Sequence, residues 1–227
     1  MSIFTTVEMT CPECGEVSKA SWASSVNAER HPDLREQILD GSFQAETCPS
    51  CQANLRLPSH VAYLDINRNH WMLVEDISEL AQWTEHEAKT NALFDNAYGP
   101  KAPKPAQELG KGVQPRLVFG WQALREKLVC TELSLDDVSV ELMKLAILRN
   151  VQDAQLGNNI ALRLISGDEE NLKFNITENH SEKIVSTTEV PRAVYDEIVS
   201  EEAAWKPLRE QLAGETFVDV ARLMIAA

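Results

Sequence analysis

The chain has 227 residues, 44% hydrophobic and 25% charged, a composition that can bury one sizeable core or two small ones and that excludes intrinsic disorder as the default. Its formal net charge of -14 argues against nucleic acid as a partner, because phosphate binding needs clustered Lys and Arg to displace condensed counterions. No run of about 18 apolar residues occurs and the N-terminus has no basic start followed by an apolar stretch, so the expectation is no membrane partner and a cytoplasmic protein.

Taken in chain order, Cys11-Pro12-Glu13-Cys14 is followed by residues 16–26, whose apolar members Val17, Trp22 and Val26 suit a strand. Pro32 at a first helical position, Asp33 and Glu36 in the first turn, Leu34 and Ile38 one turn apart and Gly41 at the end predict a short helix. Residues 42–47 lead as a strand into Cys48-Pro49-Ser50-Cys51, and Gln52 to Leu57 leave it as another. Val61 to Ile66 and Trp71 to Glu75 flank the turn-forming Asn67-Arg68-Asn69-His70, which predicts a hairpin. Asp76 or Ser78 caps a helix running to about Phe94, with Ile77, Leu80, Trp83 and Leu93 as its apolar members.

Residues 98–117 hold four prolines and three glycines and are the one net-basic stretch, with 4 basic side chains against 1 acidic; they read as an exposed linker. Beyond them, Trp121, Leu124, Leu128 and Val129 mark a helix face, and Ser134 with Asp137 resembles a capping start for the next helix. There Val138, Leu142, Met143, Leu145, Ala146 and Ile147 leave most of the circumference apolar, which places that helix mid-core. Ile160 to Ile165 and Leu172 to Ile176 alternate around Gly167-Asp168-Glu169-Glu170 as a hairpin, and Pro191 to about Ala204 and Thr216 to Ile225 are helical, with Pro207 and Gly214 as punctuation. The fold class expected is α+β: a zinc ribbon with an inserted short helix and a trailing helix over residues 1–97, a linker over 98–117, and an α+β unit over 118–227.

The chemistry-bearing pattern is the pair of Cys-Pro-x-Cys turns, separated by 33 residues. Two thiolates spaced C-x-x-C reach one metal from a single tight turn, and a second such turn completes zinc's tetrahedron. The expected ligands are therefore Cys11, Cys14, Cys48 and Cys51 around one structural zinc, a closed sulfur shell with no open position for chemistry. Redox dithiols and a catalytic metal are the alternatives; a redox C-x-x-C would occur once and open a helix, whereas both copies here lie between strand-like segments. The internal proline fits a rigid turn whose neighbouring amides bond the thiolates.

These motifs, together with Pro32-Asp33-Leu34-Arg35, Leu64-Asp65, Leu124-Arg125-Glu126-Lys127-Leu128 and Ser134-Leu135-Asp136-Asp137, resemble the bacterial CpXC proteins, named for the cysteine motif. The resemblance is strongest over residues 8–150, and Phe217-Val218-Asp219 extends it toward the C-terminus. It implies a cysteine-rich, zinc-bearing domain and no particular activity. One departure is Gln52, where a glycine commonly follows the last cysteine as Gly15 follows Cys14; a positive φ there costs a side-chain-bearing residue about 1 kcal/mol.

Cys130, alone on an apolar helix face, reads as a small buried hydrophobe, not a reactive thiol. His31, His60, His70, His86 and His180 are scattered without ligand spacing and read as surface or loop residues, with His31 and His60 near enough to the knuckles to be weighed as substitute ligands. Asp136-Asp137, Asp168-Glu169-Glu170 and Glu201-Glu202 suit solvated or helix-dipole positions better than acid–base pairs. No phosphate loop, nucleophile elbow or dinucleotide fingerprint is present. The function this leaves is a non-enzymatic zinc-binding protein acting on a protein partner with a basic or apolar surface, as adaptor, regulator or acidic inhibitor. The alternatives are an enzyme whose site forms between the two halves, and a transcription-associated ribbon using residues 98–117 as its basic face.

Overall fold

The structure is a computed structural model and describes residues 2–150 and 160–225. Strands β1 (Ile3–Thr10) and β2 (Val17–Asn27) form an antiparallel hairpin with the first cysteine pair at its turn. After helix α1 (Pro32–Asp40), a small hairpin of β3 (Ala45–Thr47) and β4 (Asn54–Arg56) carries the second pair. Then come β5 (Val61–Asp65), β6 (His70–Glu75), helices α2 (Trp83–Tyr98) and α3 (Lys104–Gly112), and β7 (Gln114–Phe119). The remainder is α4 (Trp121–Glu132), α5 (Asp137–Asn150), β8 (Ile160–Gly167), β9 (Asn171–Glu178), β10 (Ile184–Pro191), α6 (Arg192–Ser200), α7 (Glu202–Ala213) and α8 (Ala221–Met224).

The fold is mixed α+β, built on a five-stranded sheet of order β1-β2-β5-β6-β7 and a three-stranded antiparallel sheet of order β10-β9-β8. In the larger sheet β2–β5 and β6–β7 are parallel pairs and the other neighbours antiparallel. The strand over 16–26, the helix stopped by Gly41 at φ 86, the β5–β6 hairpin and the β8–β9 hairpin stand where sequence reasoning puts them.

The linker expected at 98–117 is instead structured. Pro105 occupies the first turn of α3, where an amide would have no helical partner, so the proline opens a helix. Pro115 lies in β7, parallel to β6, two residues before Leu117, whose N–H donates outward to the Thr216 carbonyl at 2.9 Å. Amides two residues apart in a strand point to the same edge, so the N–H that Pro115 lacks would, like that of Leu117, have faced away from β6.

The packing ignores the expected boundary as well. Val26, Leu34, Ile38, Tyr63, Met72 and Val74 share one core with Val118, Trp121, Leu124 and Leu128, while Leu80 and Trp83 pack with Leu117, Phe119 and Phe217. A further core joins α5, β8, β9, α6 and α7 through Leu142, Met143, Leu164, Phe174, Ile198 and Leu212.

Other departures have local causes. Ser134 does not cap α5: its φ is 53, and the cap is Asp136, whose carboxylate accepts from Ser139 N at 2.9 Å and Oγ at 2.6 Å. Pro207 does not stop a helix but lies inside α7, and the expected helix over 216–225 shortens to α8. β1 and β10 were not foreseen; both are edge strands with mostly exposed side chains, so they lack the in–out alternation that marks a strand.

Candidate metal centre

Each cysteine pair sits in a turn with the same backbone closure. Gly15 N donates to Cys11 O at 2.9 Å and Cys11 N to Glu16 O at 2.8 Å; in the second turn Gln52 N donates to Cys48 O at 3.0 Å and Cys48 N to Ala53 O at 2.9 Å. The residue after each last cysteine is left-handed, Gly15 at φ 74 and Gln52 at φ 63, so glutamine carries the strain that the missing glycine would have avoided. The Gln52 side-chain amide returns to Cys48 O at 3.4 Å.

The two turns bring the four sulfurs together. Cys11 Sγ lies 3.6 Å from Cys51 Sγ and Cys14 Sγ 3.6 Å from Cys48 Sγ, and all four ligand atoms fall within 4.8 Å of one another. A zinc–sulfur bond of about 2.3 Å gives a tetrahedral S···S edge of about 3.8 Å, so the cluster matches a four-thiolate shell without rearrangement. Cys11 and Cys48 are buried and Cys14 and Cys51 exposed. Backbone amides of Cys51 and then Ser50 bond the Cys48 sulfur and lower its pKa to about 7. At Cys14 the Glu16 amide favours the thiolate, but the crowding sulfurs, Cys51 foremost, push the thiol up to about 12, as expected of a cluster that a metal must discharge. The arrangement can hold a metal ion through four sulfurs and leaves no protein-free vertex.

A family model described as CpXC protein matches residues 9–144, well over half of the chain. The chain belongs to this family. No curated protein and no solved structure matches it. The family match spans both cysteine turns, α1, strands β2, β5, β6 and β7 of the large sheet, α4 and most of α5, so the features it covers form one packed body with the sulfur cluster at its edge.

Sequence reasoning missed the polar centre of that body. Lys144 Nζ contacts Glu126 Oε2 at 2.9 Å and Glu141 Oε2 at 2.7 Å; Arg163 contacts Glu126 at 3.1 Å and Asp219 at 2.6 Å; Lys127 contacts Asp137 at 3.1 Å and Glu141 at 3.4 Å. Arg116 closes the chain on both oxygens of Asp137. Four cations thus face four carboxylates, and the backbone amides of Leu164 and Val220 satisfy Glu126 and Glu141. Despite desolvation, the neighbouring cations hold Glu126, Asp137 and Asp219 below the usual carboxylate range. Asp137, expected at a solvated helix start, is therefore a partly buried ion-pair residue, whereas Asp168 does cap its exposed turn through Glu170 N and Asn171 N.

Cys130 is buried at 2% exposure with its thiol pushed up by desolvation, in keeping with a small hydrophobe. His70 is no surface residue: its Nε2 lies 2.8 Å from Thr131 Oγ1 and burial lowers its pKa to about 4. His60 does not join the sulfurs but bonds Glu75 at 2.7 Å. A signal for the network existed in the sequence: a helix apolar around most of its circumference leaves Glu141 and Lys144 nowhere to reach water.

Proposed function

We propose that Cys11, Cys14, Cys48 and Cys51 hold one structural zinc and that the protein acts without catalysis, as an adaptor, regulator or acidic inhibitor bound to a protein partner. The closed sulfur shell carries the reading. Four soft donors at tetrahedral spacing favour zinc and leave no vertex for a water or substrate. Support for a partner comes from a groove of about 450 Å³ beside the ribbon, where Val7, Met9, Trp22, Leu57 and Pro58 are rimmed by Glu8, Arg56 and His60. An apolar floor with a charged rim is the anatomy of a protein-binding surface.

The enzyme reading has one observation in its favour, a polar cavity where the large sheet meets α4 and α5, lined by His70, Arg116, Lys127, Thr131 and Asp137. Its volume is about 110 Å³, below the ~300 Å³ at which small-molecule sites begin, and its charges neutralise one another. The groove is the better-supported surface.

Metal analysis of purified protein is expected to return one zinc per chain with the four thiols protected. Near-zero metal with four freely titrating thiols, or a disulfide within either pair, overturns the metal half of the proposal. A partner recovered from the native cell by the wild type and lost by Met9→Asp supports the other half; retention by Met9→Asp removes the groove from it.

A further inference from the structure

A second cluster of ligand-type side chains lies away from the sulfurs. His60 just precedes β5, Glu75 ends β6, Glu79 lies in the short 3-10 segment Ile77–Gln82, and His86 is in the first turn of α2. One ligand atom each from His60, Glu75 and Glu79 falls within 4.8 Å of the others. Glu75 is 4% exposed, and its carboxylate lies 2.7 Å from His60 Nδ1. The His86 ring stands between the two carboxylates, with Nε2 3.0 Å from Glu79 Oε2 and Nδ1 3.4 Å from Glu75 Oε1. That last contact is not a hydrogen bond; His86 Nδ1 is a buried nitrogen without a partner among the described residues.

We propose that His60, Glu75 and Glu79 form a second metal site that takes a divalent first-row transition ion. The donor chemistry is that of such sites, neutral imidazole with carboxylate, and unlike the sulfur shell it discriminates against copper(I) and iron–sulfur chemistry. His86 stands behind this set: its Nε2 lies 3.0 Å from Glu79 Oε2 and its Nδ1 3.4 Å from Glu75 Oε1, so the ring can orient both carboxylates toward the ion.

The ion also has a route in and room for water. The side chains of His60 and Glu79 are 41% and 36% exposed, so open coordination positions remain, in contrast to the closed sulfur site. His60 also lines the groove described above, which puts such an ion on the rim of the apolar floor, within reach of a partner's own donor. The competitor is Lys89, whose ammonium lies 3.5 Å from Glu75 Oε1 and is largely exposed; the metal must displace it, along with the hydrogen bond between His60 and Glu75.

Full-length protein holding a single zinc equivalent, in its sulfur shell, is titrated with Co(II) to test the site. The expected result is one further equivalent bound, with weak visible bands and no sulfur-to-cobalt charge transfer. His60→Asn and Glu79→Gln are each expected to weaken it by more than about tenfold, the lower bound for removing even an outer-shell partner, and Lys89→Ala to tighten it. Both exposed variants should keep their circular dichroism and their sulfur-bound zinc, which separates loss of the site from loss of the fold. Absence of a further equivalent in the wild type overturns the proposal, as does cobalt binding that His60→Asn and Glu79→Gln leave unchanged.

Discussion

Glu126→Gln keeps the shape of a side chain that is 1% exposed while deleting its charge, and is expected to destabilise the protein by about 3–5 kcal/mol. The magnitude follows from the pairing. Glu126 Oε2 faces both Lys144 and Arg163, and Oε1 accepts the Leu164 amide at 2.7 Å. Glutamine can still accept from the amide, so the loss is electrostatic: the four cations of the network would face three carboxylates. For a chain of this length, about 2–4 °C of melting temperature accompany each kcal/mol, so a fall of about 6–20 °C is expected. Urea unfolding measures the free energy directly, and an unchanged m-value would show that only stability moved. The companion Glu126→Leu/Lys144→Met removes one charge of each sign, restoring three against three, and is expected to cost less than Glu126→Gln alone, since balanced apolar replacement of a buried pair is often neutral. A loss under about 1 kcal/mol for Glu126→Gln, or a double variant as unstable as the sum of its singles, would refute the view that these charges hold one another in the core.

Cys48→Ser is expected to abolish hydrogen-exchange protection over residues 9–16 and 45–56 while β5, β6 and β7 keep theirs, because the core that holds those strands does not include the sulfurs; equal loss throughout would mean the ribbon and body unfold as one. His70, with a pKa of about 4 against an ordinary ~6.5, contributes stability that is present above pH ~6.5 and lost as pH falls toward 4, up to about 3 kcal/mol, and His70→Gln should flatten that part of the stability–pH curve. Gly120→Ala should cost at least about 2 kcal/mol by chemical denaturation, since Gly120 has φ +85 and an added Cβ would meet the Glu182 carboxylate at 2.5 Å. That carboxylate caps α4 through Trp121 N and Gln122 N, so coupling between Gly120→Ala and Glu182→Ala should be measurable.

What could be read without the structure was short-range. Two cysteines three apart with a proline between them announce a metal turn by spacing alone, and the β5–β6 and β8–β9 hairpins carry their alternation and turn residues within about fifteen positions. β7 was illegible because its strand character depends on β6 from a different part of the chain, and because the meaning of Pro115 depends on which edge its missing N–H faces. The ionic centre failed to register for a related reason. Glu126, Lys127, Lys144 and Arg163 are residue types that normally lie in water, and only the convergence of α4, α5, β8 and the segment around Asp219 makes them interior. The second histidine–carboxylate cluster assembles from residues 60, 75, 79 and 86, with no spacing that a linear motif would catch.

The chain is held together in two chemically different ways, and the reason lies in what each region has to bury. At the ribbon tip, Cys11, Cys48 and Leu55 are the buried residues of a cluster that Met9 and Ala53 only partly cover, far too little apolar surface to fix two hairpins. One ion held by the four sulfurs would supply there what side-chain packing cannot, and its affinity would then become folding energy for that tip. The body has the opposite problem, since its cores are large enough but enclose six buried charged groups, Glu126, Lys127, Glu141, Lys144, Arg163 and Asp219. Those groups stabilise the fold only while all of them are paired, which makes their geometry far less tolerant than the apolar contacts around them. The tip is thus sensitive to chelators and oxidants through Cys14 and Cys51, which face solvent, whereas the body is sensitive to acid, which protonates the carboxylates its cations require. A chelator should therefore loosen the edge of the groove formed by Met9, Arg56 and Leu57 before it disturbs the body, and a partner seated in that groove would sense the metal state of the ribbon directly.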